Sequence, residues 1–339
     1  MSQRHGVAAL LVVIALACSA CGASITSTQI AAARSGSTRS SSRSGSGTGT
    51  AQSATTAAAL PGTGKPQVTI GDKNYTEQFV LGELYSLALQ AQGFSIQLNQ
   101  NIGPTEVTLQ ALKSGSLAMY PEYLNTFDST IAGYSHGFRS PEAAYQAAQR
   151  YAVAHGLTLL DPTPFSDTDA IGVTVGYAQA HHLRSLADLA KVATSLTLGG
   201  PPQFQHLSPG LPDIESVYGF VPAAFKPLAI GDQYTALDDN VVQAAEVGTT
   251  DGQLASGDYT LLADTAHVFG WGNVVPVVSA HALAAEGPAF AATIDRISAL
   301  LSTSVIRKLN QEVDVSGISP TDVATQFLET HNLISPTAQ

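Results

Sequence analysis

Cysteine is almost absent. The 339-residue chain has two, Cys18 and Cys21, so everything after them lacks both a disulfide framework and a thiolate metal site. Charge is scarce too, at 12% of residues against 44% hydrophobic. A chain of this length and composition buries a large core and has room for two lobes plus an extension. Basic residues are scarcer than acidic ones, 15 against 26, for a formal net charge of −11. Residues 1–66 hold Arg4, Arg34, Arg39, Arg43 and Lys65 and no acid. Ten bases then face all 26 acids over 67–339, which argues against nucleic acid, whose phosphates require clustered Lys and Arg. Histidine occurs nine times but never in a His-x-x-x-His or His-Glu-x-x-His spacing. There is no Gly-x-Ser-x-Gly elbow and no Walker loop, and Gly199-Gly200-Pro201-Pro202 lacks the helix-opening pattern of a phosphate cradle. Neither an enzyme, a metal nor a cofactor is expected.

Among what is present, the start of the chain reads as an export signal. Arg4 precedes an apolar run, Val7 to Ala17, too short to span a membrane. Ser19-Ala20-Cys21-Gly22 follows and resembles the lipobox of bacterial lipoproteins, although Cys18 stands where that pattern usually has Leu. The resemblance implies a signal peptide over 1–21 and acylation of Cys21, holding the protein at the outer face of the cytoplasmic membrane. Residues 22–66 are mostly Ser, Thr, Ala and Gly without periodicity and read as a flexible tether.

Order is expected from about Gln67. Val68-Thr69-Ile70 reads as a strand. Thr76 reads as the N-cap of an apolar-periodic helix ending at Gly93, and Thr105 as the N-cap of another ending at Gly115. With strands at Ile96–Leu98 and Leu117–Tyr120, this rhythm predicts an α/β lobe with a largely parallel sheet. A second lobe is expected over 167–266, with a strand at Ala170–Val175, a helix around Leu183–Ala193 and a strand at Leu196–Leu198. Val274–Val278 returns to a first lobe made of 67–166 plus 267–339, and three helices follow. One lobe inserted into another, with two crossings, predicts a hinge and a ligand cleft.

Several stretches in order carry a family resemblance: Ile70 to Gln78 with Leu81-Gly82-Glu83, Gly103 to Val107, Ala111 to Gly115, Met119 to Tyr123 with Thr126, Gly199 to Phe204, Gly210-Leu211-Pro212 with Tyr218-Gly219-Phe220, and Thr250 to Gln253. Together they resemble the substrate-binding proteins of glycine betaine, carnitine and choline ABC transporters, of the OpuAC type. The resemblance implies a type II periplasmic-binding-protein fold, two α/β lobes closing a hinged cleft over a small zwitterionic or cationic solute. It also implies delivery to an ABC permease driven by a separate ATPase.

A trimethylammonium group donates no hydrogen bond, so a site holds it through ring faces and nearby acceptors; a ligand carboxylate suits the free N–H groups at a helix start. Tyr123 matches a tyrosine of the family's cage, and Thr126 a position that tunes ligand choice. Gln78 and Thr105 are candidate donors, and Trp271, the lone tryptophan, is a candidate wall. Asp169, Gly248 and Gly272 stand where further cage tyrosines are expected, with Asp167 beside Asp169. Two readings follow. Other rings wall the cage while Asp167 and Asp169 face the cation, or the cleft takes a more hydrogen-bonding amine or amino-acid-like solute. The same fold also serves extracellular sensors.

Overall fold

A computed structural model describes residues 59–134 and 137–336. The expected signal peptide and Cys21 lie outside the described residues, as does most of the expected tether. Its last part does not: 60–64 is a turn held against the following α/β body, with Gly62 N donating to Gln92 O at 2.9 Å and Lys65 Nζ to Ala285 O at 2.8 Å.

Two five-stranded sheets form the frame. The chain runs β1 (Gln67–Gly71), α1 (Thr76–Ala91), β2 (Ser95–Asn99), α2 (Thr105–Ser114) and β3 (Met119–Tyr123). The short α3 (Leu124–Thr126), α4 (Pro141–Ala154) and β4 (Leu157–Leu159) follow. The second sheet is built from β5 (Asp169–Thr174), α5 (Val175–His181), α6 (Leu186–Ala190), β6 (Thr197–Gly200), α7 (Leu211–Tyr218), β7 (Ala224–Pro227), α8 (Gln233–Asp238), β8 (Ala244–Gly248) and β9 (Tyr259–Leu261). β10 (Val274–Ser279) returns to the first sheet, and α9 (Ala280–Glu286), α10 (Pro288–Ser298), α11 (Thr303–Asp314) and α12 (Pro320–Thr330) end the chain. Strand orders are β2-β1-β3-β10-β4 and β7-β6-β8-β5-β9.

Both sheets are mixed, a correction to the largely parallel expectation: β10 runs antiparallel to β3 and β4, and β5 antiparallel to β8 and β9. The cause is connectivity. Each sheet receives one strand directly from a crossing rather than through a helical crossover, and only the latter enforces parallel pairing. β10 is apolar on both faces because both are covered: Val274 and Val278 join the core under α1, α10, α11 and α12, while Val275 and Val277 join the one under α2 and α4. Pro276 stands opposite Pro121, so the missing N–H donors of the two prolines fall on one rung of the central ladder.

Local chemistry explains the helix ends. Ser140, Ser185, Ser302 and Ser319 each accept from a backbone N–H in the first turn of the helix they precede. Thr76 and Thr105 do not act as expected. Each is the first residue inside its helix, Tyr75 and Pro104 occupy the cap positions, and neither helix start has a side-chain cap bond. The helix expected around Leu183–Ala193 is present but shorter, as α6 starting at the Ser185 cap. α5 precedes it over a stretch with no expected helix, and ends where His182 adopts φ 56°.

Two crossings join the sheets, and they are bonded to each other. Ser166 bridges Asn273, Asp167 N donates to Gly272 O at 2.9 Å, and Gly272 N donates to Ser166 Oγ at 2.9 Å. A Cβ on Gly272 would sit 1.6 Å from Asp167 O, so only glycine fits this approach. A further contact runs from the second sheet to α11. Arg307 Nε donates to Thr249 O at 2.8 Å, Asn310 Nδ2 to Thr250 O at 3.0 Å, and a Cβ on Gly252 would lie 2.5 Å from Gln311 N. Among the described residues no single helix is long and apolar enough to cross a membrane.

Candidate functional site

The cleft between the sheets is lined from the first sheet by the start of α1 and the end of β3, and from the second by the β5 and β8 ends. A cavity of about 660 Å³ lies there. Its walls carry six carboxyl groups, Glu77, Asp167, Asp169, Glu246, Asp251 and Asp314, and no Lys or Arg among the described residues. A second chamber of about 300 Å³ shares Tyr75, Asp167, Asp169 and Gly248 with it and adds Tyr123, Thr126 and Phe269. A third, of about 510 Å³, continues past Thr126 to Phe138, Phe269 and Trp271.

Burial and mutual repulsion set the electrostatics. Glu77 is buried at the first turn of α1, where its Oε1 accepts from Tyr123 Oη at 2.9 Å and its Oε2 from Asn310 Nδ2 at 3.1 Å. Burial still pushes its carboxyl up, against the lowering effect of those donors. Asp167 is pushed well above the usual carboxylate range by burial, then by the Glu77 charge. Burial also raises Asp169. Glu246, 8% exposed, is pushed up to about 8 by burial and then by Asp169 beside it. Asp251 rises through burial, although Tyr234 Oη at 2.8 Å and Gly248 N at 3.0 Å donate to its Oδ2. Carboxyls crowded in this way, with Glu77 and Glu246 buried among them, make a site prepared for positive charge. Among the described residues no group of three or more His, Cys, Asp or Glu is arranged to hold a metal ion.

The sequence-derived candidates divide. Asp167 and Asp169 line both main chambers, Tyr123 lines the second, Thr126 the second and third, and Trp271 the third. Trp271 is half-buried, its Nε1 donating to Phe138 O at 2.9 Å. Gln78 and Thr105 lie behind the cleft in a sealed polar knot. Lys73 Nζ donates to Thr105 Oγ1 at 2.8 Å and pairs with Glu122, Thr105 Oγ1 donates to Glu122 Oε2 at 3.3 Å, and Gln78 Oε1 accepts from Lys73 N at 3.4 Å. Tyr123 is only 5% exposed; its ring stacks on Tyr75 at 5.9 Å and has Lys73 Nζ 6.0 Å from its centroid.

The cage tyrosines that the resemblance implies at Gly248 and Gly272 would be crowded at the first position and excluded at the second. A Cβ on Gly248 would meet Asp251 Oδ1 at 2.6 Å, and Gly272 is closed by Asp167. Sequence reasoning missed Tyr75, Glu77, Glu246 and Asn310. A lone acid within the apolar β8 and an aromatic directly before a helix start were the available signals.

The comparisons with known proteins agree with this geometry. The family model for the substrate binding domain of the ABC-type glycine betaine transport system matches residues 66–330. The chain belongs to this family. The glycine-betaine-binding protein of Pseudomonas aeruginosa is 30% identical, covering 78% of this chain and 88% of its own. The carnitine transport binding protein OpuCC of Listeria monocytogenes is 27% identical, covering 83% and 92%. A crystal structure of a glycine betaine/carnitine/choline ABC transporter protein superposes with a TM-score of 0.73 at 27% identity, over 78% of this chain and 99% of that one. As a member of a substrate-binding family the chain is not an enzyme, and its two-sheet α/β architecture is that of periplasmic binding proteins.

Proposed function

We propose that the chain is the extracytoplasmic solute-binding component of an ABC importer and captures a quaternary-ammonium osmoprotectant of the glycine betaine, carnitine or choline type. Lobe 1, made of 67–166 plus 267–339, and lobe 2, 167–266, close over the solute, which an ABC permease then accepts and a separate ATPase drives inward. Acylated Cys21 anchors the protein at the outer face of the membrane, and 22–58 spans from anchor to body.

One observation carries the ligand reading: a chamber lined by Tyr75, Tyr123 and Phe269 is also lined by Asp167 and Asp169 and, among the described residues, by no Lys or Arg. A methylated ammonium gains from ring faces and from nearby negative charge without needing to donate a hydrogen bond. A ligand carboxylate would meet no Lys or Arg in the main chamber. The site therefore favours methylated cations without a carboxylate, choline among them, over zwitterions. Calorimetric titration of the full-length chain with choline, glycine betaine and carnitine tests this. Choline is expected to bind tightest, and a response to primary amines alone, with none to these three, overturns it.

A further inference from the structure

The main chamber holds two buried acceptor atoms that the protein leaves unused, Glu246 Oε2 and Asn310 Oδ1. Glu246 is 8% and Asn310 4% exposed. The orientation of Asn310 is fixed by its neighbours. Its Nδ2 donates to Glu77 Oε2 at 3.1 Å and to Thr250 O at 3.0 Å, and the flipped amide would set an oxygen against two acceptors. Oδ1 is thus the free atom. Glu246 is faced by Asp169 from β5, by Asp251 after β8 and by the Gln233 amide from α8, so only the last offers it a hydrogen without first taking up a proton.

A methylated ammonium cannot satisfy either atom, having no N–H. A primary ammonium or guanidinium brings what these acceptors lack, because each carries several donors and a positive charge. The ring-bounded chamber has the opposite character, and the two share Tyr75, Asp167, Asp169 and Gly248, so one elongated molecule reaches both.

We infer that the ligand is a two-headed cation, a methylated ammonium held by Tyr75, Tyr123 and Phe269 at one end and an N–H-bearing cation held by Glu246 and Asn310 at the other. This rests on the solute-binding reading above and adds a second subsite to it.

Three probes decide it in calorimetric titrations of the full-length chain: choline, 1,4-diaminobutane and (4-aminobutyl)trimethylammonium. The two-headed probe is expected to bind at least about tenfold tighter than either single-chemistry probe. Glu246→Gln, which keeps size and removes charge, is expected to cut that advantage to within about threefold while choline binding stays near wild type. Thermal melting of the variant confirms that it is folded. Choline binding as tightly as the two-headed probe overturns the second subsite and leaves the solute-binding reading standing. Diaminobutane matching the two-headed probe overturns the ring subsite. Failure of the two-headed probe to bind overturns this inference, and only failure of choline, glycine betaine and carnitine alike removes the parent reading as well.

Discussion

Lowering the pH from 8 to 6 is expected to weaken binding of (4-aminobutyl)trimethylammonium, whose amino end meets Glu246, about fiftyfold. The Glu246 carboxyl is pushed up to about 8, first by burial and then by the charge of Asp169, with Asp251 adding to the rise. In the empty cleft it therefore carries a proton at neutral pH, and a cation entering the site favours its ionised form. One proton leaves per ligand, and Glu246 goes from about half ionised at pH 8 to about 1% ionised at pH 6, so the apparent Kd rises about fiftyfold, roughly 2.3 kcal/mol. The sign follows from the direction of the shift: the cation draws this value back down, so affinity climbs with pH and levels off above about 8. Titration calorimetry at pH 6.5 in buffers of different ionisation enthalpy counts the protons released. Because burial raises Asp167 and Asp169 as well, the decisive quantity is a difference. Glu246→Gln should remove one proton from whatever the parent chain releases and flatten its pH profile. A Kd independent of pH between 6 and 8, or the same proton count in both proteins, would refute the reasoning.

Other outcomes follow from the same geometry. The folded-state value of Glu246 lies above its unfolded value of 4.5, so the stability it lends is complete below about pH 4.5 and is lost as pH rises through about 8. The ligand-free chain should melt at progressively lower temperature from pH 5 to 8, with a shallower slope in Glu246→Gln. Tyr75→Ala removes a ring that is 42% exposed; choline binding should weaken by about 1–2 kcal/mol with little change in melting temperature, and an unchanged Kd would take Tyr75 out of the site. Tyr123→Phe removes the donor to Glu77 Oε1 and should cost about 1–3 kcal/mol of stability in denaturant unfolding. Lys73→Met strips the partner from Glu122, a wholly buried carboxylate; about 3–5 kcal/mol of destabilisation is expected by the same measurement.

The long, strongly periodic elements were legible in the sequence. The Val run of β10 lies where its pattern places it, and the three terminal helices α10 to α12 follow it as expected, because one periodicity dominates each. β7 and β9 gave no such signal, being four and three residues long and held in place by neighbours rather than by propensity. The site was legible only in part. Tyr123, Asp167 and Asp169 stood out through motif and position, whereas Glu77, Glu246 and Asn310 matter because three separate stretches of chain converge, and no local window contains that convergence. Thr105 illustrates the opposite failure. Its place at a helix start suggested a ligand donor, but Lys73 and Glu122 already occupy its hydroxyl.

The bonded pair of crossings has a mechanical consequence. Two separate linkers would let the halves twist, slide and tilt, whereas the pair joined by the Ser166–Asn273 bridge and the Asp167–Gly272 bonds behaves as a laminated leaf spring. Such a spring flexes about one axis and resists torsion, which confines the halves to a single arc of travel. Under the proposed closure, every solute that draws the halves shut leaves the same outward contour for the permease to read, so one docking geometry serves cargoes of different shape.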